Sequence, residues 1–298
     1  MEQDFIRNFI FKDRSVRGSI VRLKKSYEMV VSQHHYPPVL GGILGEALLG
    51  ACLLGPFFKN PGKITLQFQG EGDLKFLSTR LTSDFTIRGL IRAEHDLISE
   101  FNLLEALKVG QLSLTYEPLD GRPYQSFISI EQTSIAKTLE DYFIRSEQLP
   151  TRFFLARSED VVAGMMLQVL PDAFKGNARQ DFEHCTMLAA TVKDEELLSL
   201  EPAELLHRLF AEEDLTLFEP RKIEFACNCS RERMAGVVIN LGQEQANSIL
   251  EDHGFVEVTC EFCGQAHQFN EAEVPVLFLQ HSLSGAISHH SPGIHLNG

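Results

Sequence analysis

The sequence is short of basic residues: 27 Lys and Arg stand against 41 Asp and Glu, so the formal net charge is −14. A nucleic-acid-binding surface needs Lys and Arg to neutralise phosphates. The composition therefore argues against a nucleic-acid partner. With 298 residues, of which 44% are hydrophobic and 23% charged, the chain is typical of a globular protein with two or more domains.

Long apolar runs are also scarce. The first residues, MEQDFIR, lack the basic segment and apolar core of a signal peptide, so we expect no export and a cytoplasmic location. The run 38–58 approaches membrane length, but Glu46 lies in its middle, and an unpaired carboxylate in lipid is costly. We therefore expect a buried helix over 38–54 and no membrane partner.

Enzyme signatures are missing as well. The 11 histidines are scattered or lie near the C-terminus, and no Ser/His/Asp or paired-carboxylate arrangement can be assigned. The segment 67–72, QFQGEG, lacks the GxxxxGK pattern of a phosphate loop and predicts a tight turn between strands. We expect a protein that is not an enzyme.

The first part of the chain mixes strand and helix patterns. Alternation of apolar and polar side chains predicts strands near 21–23, 64–68, 112–116, 124–131 and from 153. Apolar spacing and chain breaks predict helices near 26–34, 38–54, 99–108 and 160–168. We interpret residues 1–171 as an N-terminal α+β domain of mixed sheet and helix.

Residues 172–224 have a different, amphipathic character. Two apolar stripes recur at helical spacing: Phe182, Cys185, Ala189 and Val192, then Leu205, Leu206, Leu209 and Phe210. Acidic residues are frequent between and after the stripes: Asp194, Glu195, Glu196, Glu201, Glu204, Glu212, Glu213 and Asp214. Short helices of this kind are marginal alone, so this helical linker must pack against a neighbour. The pattern is compatible with a permanent clamp and with a detachable one.

Four of the 6 cysteines form two close pairs, Cys227 with Cys229 and Cys260 with Cys263. We assign them to a small C-terminal module, residues 225–283, followed by a disordered tail, residues 284–298. The tail carries His289, His290 and His295, for which we expect solvation rather than metal binding. Cys52 lies in the apolar helix over 38–54 and Cys185 on the first linker stripe, and both are expected to be small buried hydrophobic residues rather than reactive thiols.

The spacing of the four cysteines fits one tetrahedral ion held by four thiolates. We therefore expect one zinc ion per chain in the reduced protein, with Cys227, Cys229, Cys260 and Cys263 as its ligands. Each pair could also close on itself as a disulfide, since neighbouring thiols react fastest once a metal has left. A permanent zinc knuckle, a redox trigger and a four-cysteine iron–sulfur cluster all remain open from spacing alone.

The sequence resembles the heat shock protein 33 family of redox-regulated chaperones over nearly its whole length, to about residue 283. The most specific stretches are CNCSRERM from Cys227 and TCEFC from Thr259. Supporting stretches are VRGS from Val16, YPPVLGGILGEALLGACLL from Tyr36, QFQGEG from Gln67, IRG from Ile87 and GMMLQVLP from Gly164. All four family cysteines stand at matching spacing.

The resemblance implies a function and a mechanism. The reduced, zinc-bound protein is expected to be folded and inactive, and oxidants are expected to release zinc and form the disulfides Cys227–Cys229 and Cys260–Cys263. The module and linker then unfold, and the surface they expose holds unfolding client proteins without ATP. The resemblance also implies a homodimer in the oxidised state and transfer of clients to ATP-driven chaperones.

Two other classes of function remain as alternatives. A constitutive zinc-stabilised module that docks one partner would bind in a redox-independent manner and would present a basic face, which the acidic composition disfavours. A zinc enzyme would need an open coordination position, for which four thiolates leave no room.

Overall fold

A computed structural model describes residues 4–34, 36–55, 60–94, 102–170 and 177–285. The strands are β1 (Phe5–Phe11), β2 (Val16–Leu23), β3 (Gly62–Gly70), β4 (Leu74–Thr82), β5 (Thr86–Ala93), β6 (Gly110–Pro118), β7 (Tyr124–Ser129), β8 (Thr151–Arg157), β9 (Val162–Val169), β10 (Leu215–Leu217), β11 (Arg221–Lys222), β12 (Glu224–Phe225), β13 (Phe255–Thr259) and β14 (Ala266–Asn270). The helices are α1 (Lys25–Ser32), α2 (Pro38–Leu54), α3 (Leu103–Leu107), α4 (Ile135–Tyr142), α5 (Ala178–Ala189), α6 (Asp194–Ser199), α7 (Pro202–Leu209), α8 (Arg231–Leu241), α9 (Gln243–His253) and α10 (Glu273–Gly285).

The chain divides into two compact units, Met1–Cys227 and Asn228–Gly298. The first unit contains two sheets. One has the order β10-β1-β2-β9-β8, with β11 also paired to β1, and the other has the order β12-β5-β4-β3-β6-β7. All pairs in these two sheets are antiparallel except β12 with β5. The α+β class expected from the sequence is confirmed.

Helix α2 is the apolar centre of the first unit. It packs against strands of both sheets, and most of its side chains are fully buried. Its one carboxylate, Glu46, lies 3.4 Å from Nε of Arg157 on β8, and burial raises the pKa of Glu46. The buried helix predicted over 38–54 is therefore correct. Among the described residues, no helix combines the length and apolar character needed to cross a membrane.

The helix predicted near 160–168 is wrong, because this segment is strand β9. Strand β9 lies between β2 and β8, and every residue from Val162 to Val169 is buried. A strand that is buried on both faces has a continuous apolar sequence without alternation. Periodicity alone cannot distinguish such a sequence from that of a buried helix. Helix α4, with Ser134 as its N-cap, was not predicted.

The linker segment packs on the outer face of the first sheet. The two predicted stripes lie on α5 and α7 and the residues that directly follow them, and Cys185, Leu205, Leu206 and Phe210 are almost completely buried. The chain then continues as β10 and β11 along the edge of β1. Apolar spacing predicts the linker helices, whereas these short strands lack a sequence pattern of their own.

The second unit is small. Helices α8, α9 and α10 and the hairpin β13–β14 enclose a modest core: Ala235, Val238, Ala246, Leu250, Val256, Phe269 and Val274. Helix α8 begins after Ser230, whose side chain accepts a hydrogen bond from the Arg233 amide, and ends at Gly242, which has a positive φ. Asn270 and Glu273 form a reciprocal cap at the start of α10.

Candidate metal centre and linker face

Two short irregular segments position the four cysteines that the sequence analysis singled out. Cys227 and Cys229 lie between β12 and α8, and the division between the two units falls directly after Cys227. Cys260 and Cys263 lie in the turn that joins β13 to β14. That turn is closed by hydrogen bonds from the Gly264 amide to the Cys260 carbonyl, at 2.8 Å, and from the Cys260 amide to the Gln265 carbonyl, at 2.9 Å.

The structure brings the four sulfur atoms together. All four Sγ atoms lie within 4.8 Å of one another, and Sγ of Cys229 is 3.3 Å from Sγ of Cys263. Cys260 is buried and the other three are half-buried. Among the described residues, this is the group whose side chains are arranged to hold a metal ion.

The donor set and its spacing fit a zinc ion. Zn–S bonds of about 2.3 Å in a tetrahedron place neighbouring sulfurs about 3.8 Å apart. The observed spacing is compatible with that arrangement. Four soft, charged thiolates favour zinc over magnesium or calcium, and a fully occupied shell leaves no position for substrate.

Arg231 supports the site, and sequence reasoning did not single it out for this role. Its guanidinium donates to the Gln268 carbonyl at 2.7 Å and to the Glu273 carboxylate at 2.6 Å. It also lies 4.6 Å from the centre of the Phe269 ring. The Asn270 amide and the Arg231 guanidinium both lower the pKa of Glu273. Arg231 thus ties the segment that carries Cys229 to the far strand of the hairpin.

The loop before α8 is held in a similar way. Nη1 of Arg233 donates to the Asn228 carbonyl at 2.7 Å, which fixes the backbone between Cys227 and Cys229. The Arg-rich stretch that follows Cys229 therefore works as local scaffolding, a role that its sequence alone does not reveal.

The remaining two cysteines lie outside the cluster. Cys52 is buried in α2, and burial raises its pKa well above the usual range. Burial likewise raises the pKa of Cys185 on α5 to about 12. Both thiols are therefore protonated and unreactive in the folded protein. The tail histidines His289, His290 and His295 lie outside the described residues.

A second feature is the surface that we call the linker face: Phe9, Phe11, Ile20, Met165 and Leu167 on β1, β2 and β9. These side chains form one cluster with the stripes of α5 and α7. Met165 and Met166 are both buried, but they point to opposite sides of β9, and Met166 belongs to the core around α2. Removal of the linker would therefore expose a continuous apolar surface that includes Met165.

Comparisons with known proteins agree with this architecture. Residues 4–270 match the family model described as Hsp33 protein. The 33 kDa chaperonin of Vibrio cholerae is 38% identical over 97% of this chain and 100% of its own length, and that of Pectobacterium atrosepticum is 36% identical over the same shares.

A solved structure has the same fold. The crystal structure of the 33 kDa chaperonin from Thermotoga maritima matches with a TM-score of 0.82 and 25% identity, over 95% of this chain and 99% of that one. These relatives are named as chaperonins and not as enzymes. Nearly full-length matches in sequence and in structure establish that the chain belongs to the Hsp33 family of chaperones.

Proposed function

We propose that this protein is a redox-regulated, ATP-independent holdase that prevents aggregation of unfolding proteins under oxidative stress. It is inactive when its four site cysteines are reduced and bind one zinc ion, and oxidation activates it. The observation that carries the proposal is the convergence of four cysteine sulfur atoms within 4.8 Å of one another, beside a module with a small core. The thiols require a reducing compartment in the resting state, which supports a cytoplasmic location.

Metal binding would supply much of the stability of the second unit. Structural zinc contributes about 10–16 kcal/mol of apparent folding free energy in small modules. The core of this unit consists mainly of Ala and Val with one buried Phe, which is modest for its length. The Arg231 contacts join the two cysteine-bearing segments, but surface ion pairs contribute only about 0–1 kcal/mol each. Zinc coordination by the four cysteines is thus the main link between the segment with Cys227 and Cys229 and the segment with Cys260 and Cys263.

Oxidation reverses this stabilisation. In the proposed step, Cys227 and Cys229 lose two electrons and form one disulfide, and Cys260 and Cys263 form the other. Each disulfide consumes one peroxide molecule, which takes up two protons and is reduced to two waters. Bridges across loops of three or four residues contribute roughly 1.5–2 kcal/mol each before strain. Because each bridge lies within one pair, the two bridges do not connect the two cysteine-bearing segments to each other, and the module unfolds.

The linker connects this event to client binding. Its three helices are short, and their apolar stripes are stable only while they lie on the linker face. Loss of structure at Cys227 frees the end of the linker, and the linker face then becomes available to unfolding clients. A homodimer of the oxidised form and later transfer of clients to ATP-driven chaperones complete the proposal.

The test compares aggregation of a thermally unfolding client, measured by light scattering, in the presence of reduced zinc-loaded protein and of peroxide-treated protein. Zinc released into a colorimetric chelator is read in the same samples. The proposal expects suppression only after oxidation and in step with zinc release. Equal behaviour in both states would instead support a constitutive zinc-stabilised binding module.

A further inference from the structure

An ion-pair network joins the linker to the turn between β1 and β2. Nη2 of Arg14, in that turn, donates to Oε1 of Glu213 at 2.8 Å, and its Nε donates to the other oxygen of the same carboxylate. Nη1 of Arg14 lies 3.4 Å from Oδ1 of Asp181 on α5. A bidentate arginine–carboxylate pair is stronger and more directional than a simple contact of opposite charges.

Further contacts hold both acidic residues in place. The second oxygen of Asp181 accepts a hydrogen bond from the Ser15 amide at 3.1 Å. Nε2 of His184, one turn further along α5, lies 2.8 Å from Oε1 of Glu213. The network therefore joins three segments that are distant in sequence: the β1–β2 turn, the first part of the linker and the segment between α7 and β10.

The network is partly shielded from water. The side chains of Arg14, Asp181 and Glu213 are 27%, 17% and 12% exposed. The Glu213 carboxylate raises the pKa of Arg14, and the Arg14 guanidinium lowers the pKa of Glu213. Partly buried pairs are screened less than surface pairs, and removal of one partner leaves the other charge poorly solvated. Loss of Arg14 alone is therefore more disruptive than loss of an exposed arginine.

A second arginine from the same hairpin holds the middle of the linker. Nη2 of Arg22 on β2 donates to the Leu200 carbonyl, and it lies 3.2 Å from the Leu197 carbonyl. Both carbonyls belong to the end of α6, where unpaired acceptors and the negative end of the helix dipole attract a cation. The Arg22 guanidinium also lies 5.6 Å from the centre of the Phe5 ring.

We propose that Arg14 and Arg22 form an autoinhibitory latch, which holds the linker on the linker face independently of the cysteines. No cysteine takes part in these hydrogen bonds, and every partner belongs to the first unit. The latch sets how readily the linker leaves once the second unit has lost its structure. This inference rests on the proposed function for its consequence, client binding, but the latch itself is a property of the fold.

The test uses the full-length, reduced, zinc-loaded protein with Arg14→Gln or Arg22→Gln. The matched control is Arg179→Gln on α5, because Arg179 is 91% exposed and pairs with Glu183 one turn away on the same helix. Backbone amide hydrogen exchange is measured by mass spectrometry. A charge-assisted hydrogen bond corresponds to a factor of roughly 10 to 100 in an opening equilibrium. We expect exchange in α5 and β10 to rise by such a factor with Arg14→Gln, and exchange in α6 to rise with Arg22→Gln.

Exchange in β13 and β14 and the zinc content should stay at wild-type values in both variants. The control Arg179→Gln should leave exchange in α6 and β10 at wild-type values. Unchanged exchange across α5, α6 and β10 would overturn the latch.

A double-mutant cycle of Arg14→Gln and Glu213→Gln gives a second criterion. The latch requires the combined effect to be clearly smaller than the product of the single effects, and independent effects would contradict it. If Arg14→Gln does not fold, Arg14→Lys keeps the charge but loses the bidentate geometry, and a smaller rise in α5 exchange is expected.

Client aggregation separates this inference from the proposed function. If the latch variants loosen the linker and suppress aggregation while still reduced, both are supported. If they loosen the linker but neither they nor the oxidised wild-type protein suppress aggregation, the latch stands and the proposed function fails. If oxidised wild-type protein suppresses aggregation but the variants leave the linker in place, the latch is wrong and the proposed function stands.

Discussion

The ring of Phe210, at the end of α7, meets the ring of Phe11 on β1 edge-on: the centroids are 5.0 Å apart and the planes cross at 88°. Both side chains are 2% exposed. Edge-to-face pairs of this kind add about 0.5–1.5 kcal/mol to the stabilisation from burial. The contact joins the second stripe of the linker directly to the linker face.

Charged residues in the second stripe should release the linker without oxidation. Leu206 and Phe210 are almost fully buried, and an aspartate at either position would place an unpaired carboxylate among apolar groups. We expect the double variant Leu206→Asp plus Phe210→Asp to bind a hydrophobic dye and to suppress client aggregation while reduced. The matched control is Ala203→Asp plus His207→Asp on the exposed face of α7. If the reduced double variant stays folded and does not suppress client aggregation, the linker does not control client binding.

Cys260 is the most buried of the four site cysteines, and Cys260→Ser should weaken zinc binding. A serine hydroxyl is a far poorer zinc ligand than a thiolate. We expect a competing chromophoric chelator to remove zinc from this variant much more readily, and the second unit to be partly unfolded under reducing conditions. Cys185→Ala, which alters a buried thiol outside the cluster, should keep wild-type zinc affinity. Equal zinc affinity in Cys260→Ser and the wild type would count against the ligand assignment.

Removal of the metal should unfold the second unit and spare the first. Treatment of the reduced protein with a strong chelator should collapse the amide dispersion of α8, α9, β13 and β14 in a two-dimensional NMR spectrum. Amides of β3, β4 and β6 should keep their shifts, since the core around α2 does not involve the site cysteines. Added zinc should restore the spectrum and added magnesium should not, because thiolates favour the softer ion. Retained dispersion after complete zinc removal would contradict the small-core argument.

Glu213 should titrate below its ordinary pKa, because the Arg14 hydrogen bonds and then the contact with His184 favour the carboxylate. A lowered folded-state pKa stabilises the fold at pH values above the unfolded-state pKa of about 4.3. That contribution is complete at neutral pH and is lost as the pH falls through the folded-state value. Carboxyl carbon shifts followed by NMR report the titration. We expect Arg14→Gln to raise the pKa of Glu213 and Arg179→Gln to leave it unchanged; equal values in all three proteins would contradict the pairing.

The sequence predicted secondary structure correctly where a local pattern of apolar and polar residues specifies the element. The alternation over 64–68 corresponds to strand β3, and the apolar run 38–54 corresponds to helix α2. The failure at 160–168 came from a strand covered on both sides, whose burial depends on β2 and β8. Strands β10 to β12 were missed because two or three residues pair only where β1 or β5 offers a free edge.

The sequence by itself determined the family, the α+β class and the four cysteines as a set, since residue types and spacing are local properties of the chain. Only the tertiary structure decided how the linker is held. Arg14 and Glu213 are separated by 199 positions, and nothing in their neighbourhoods marks them as partners. Long-range ion pairs and ring contacts such as Phe11 with Phe210 arise when distant segments pack on one sheet. Their existence therefore depends on the fold and not on any pattern readable along the chain.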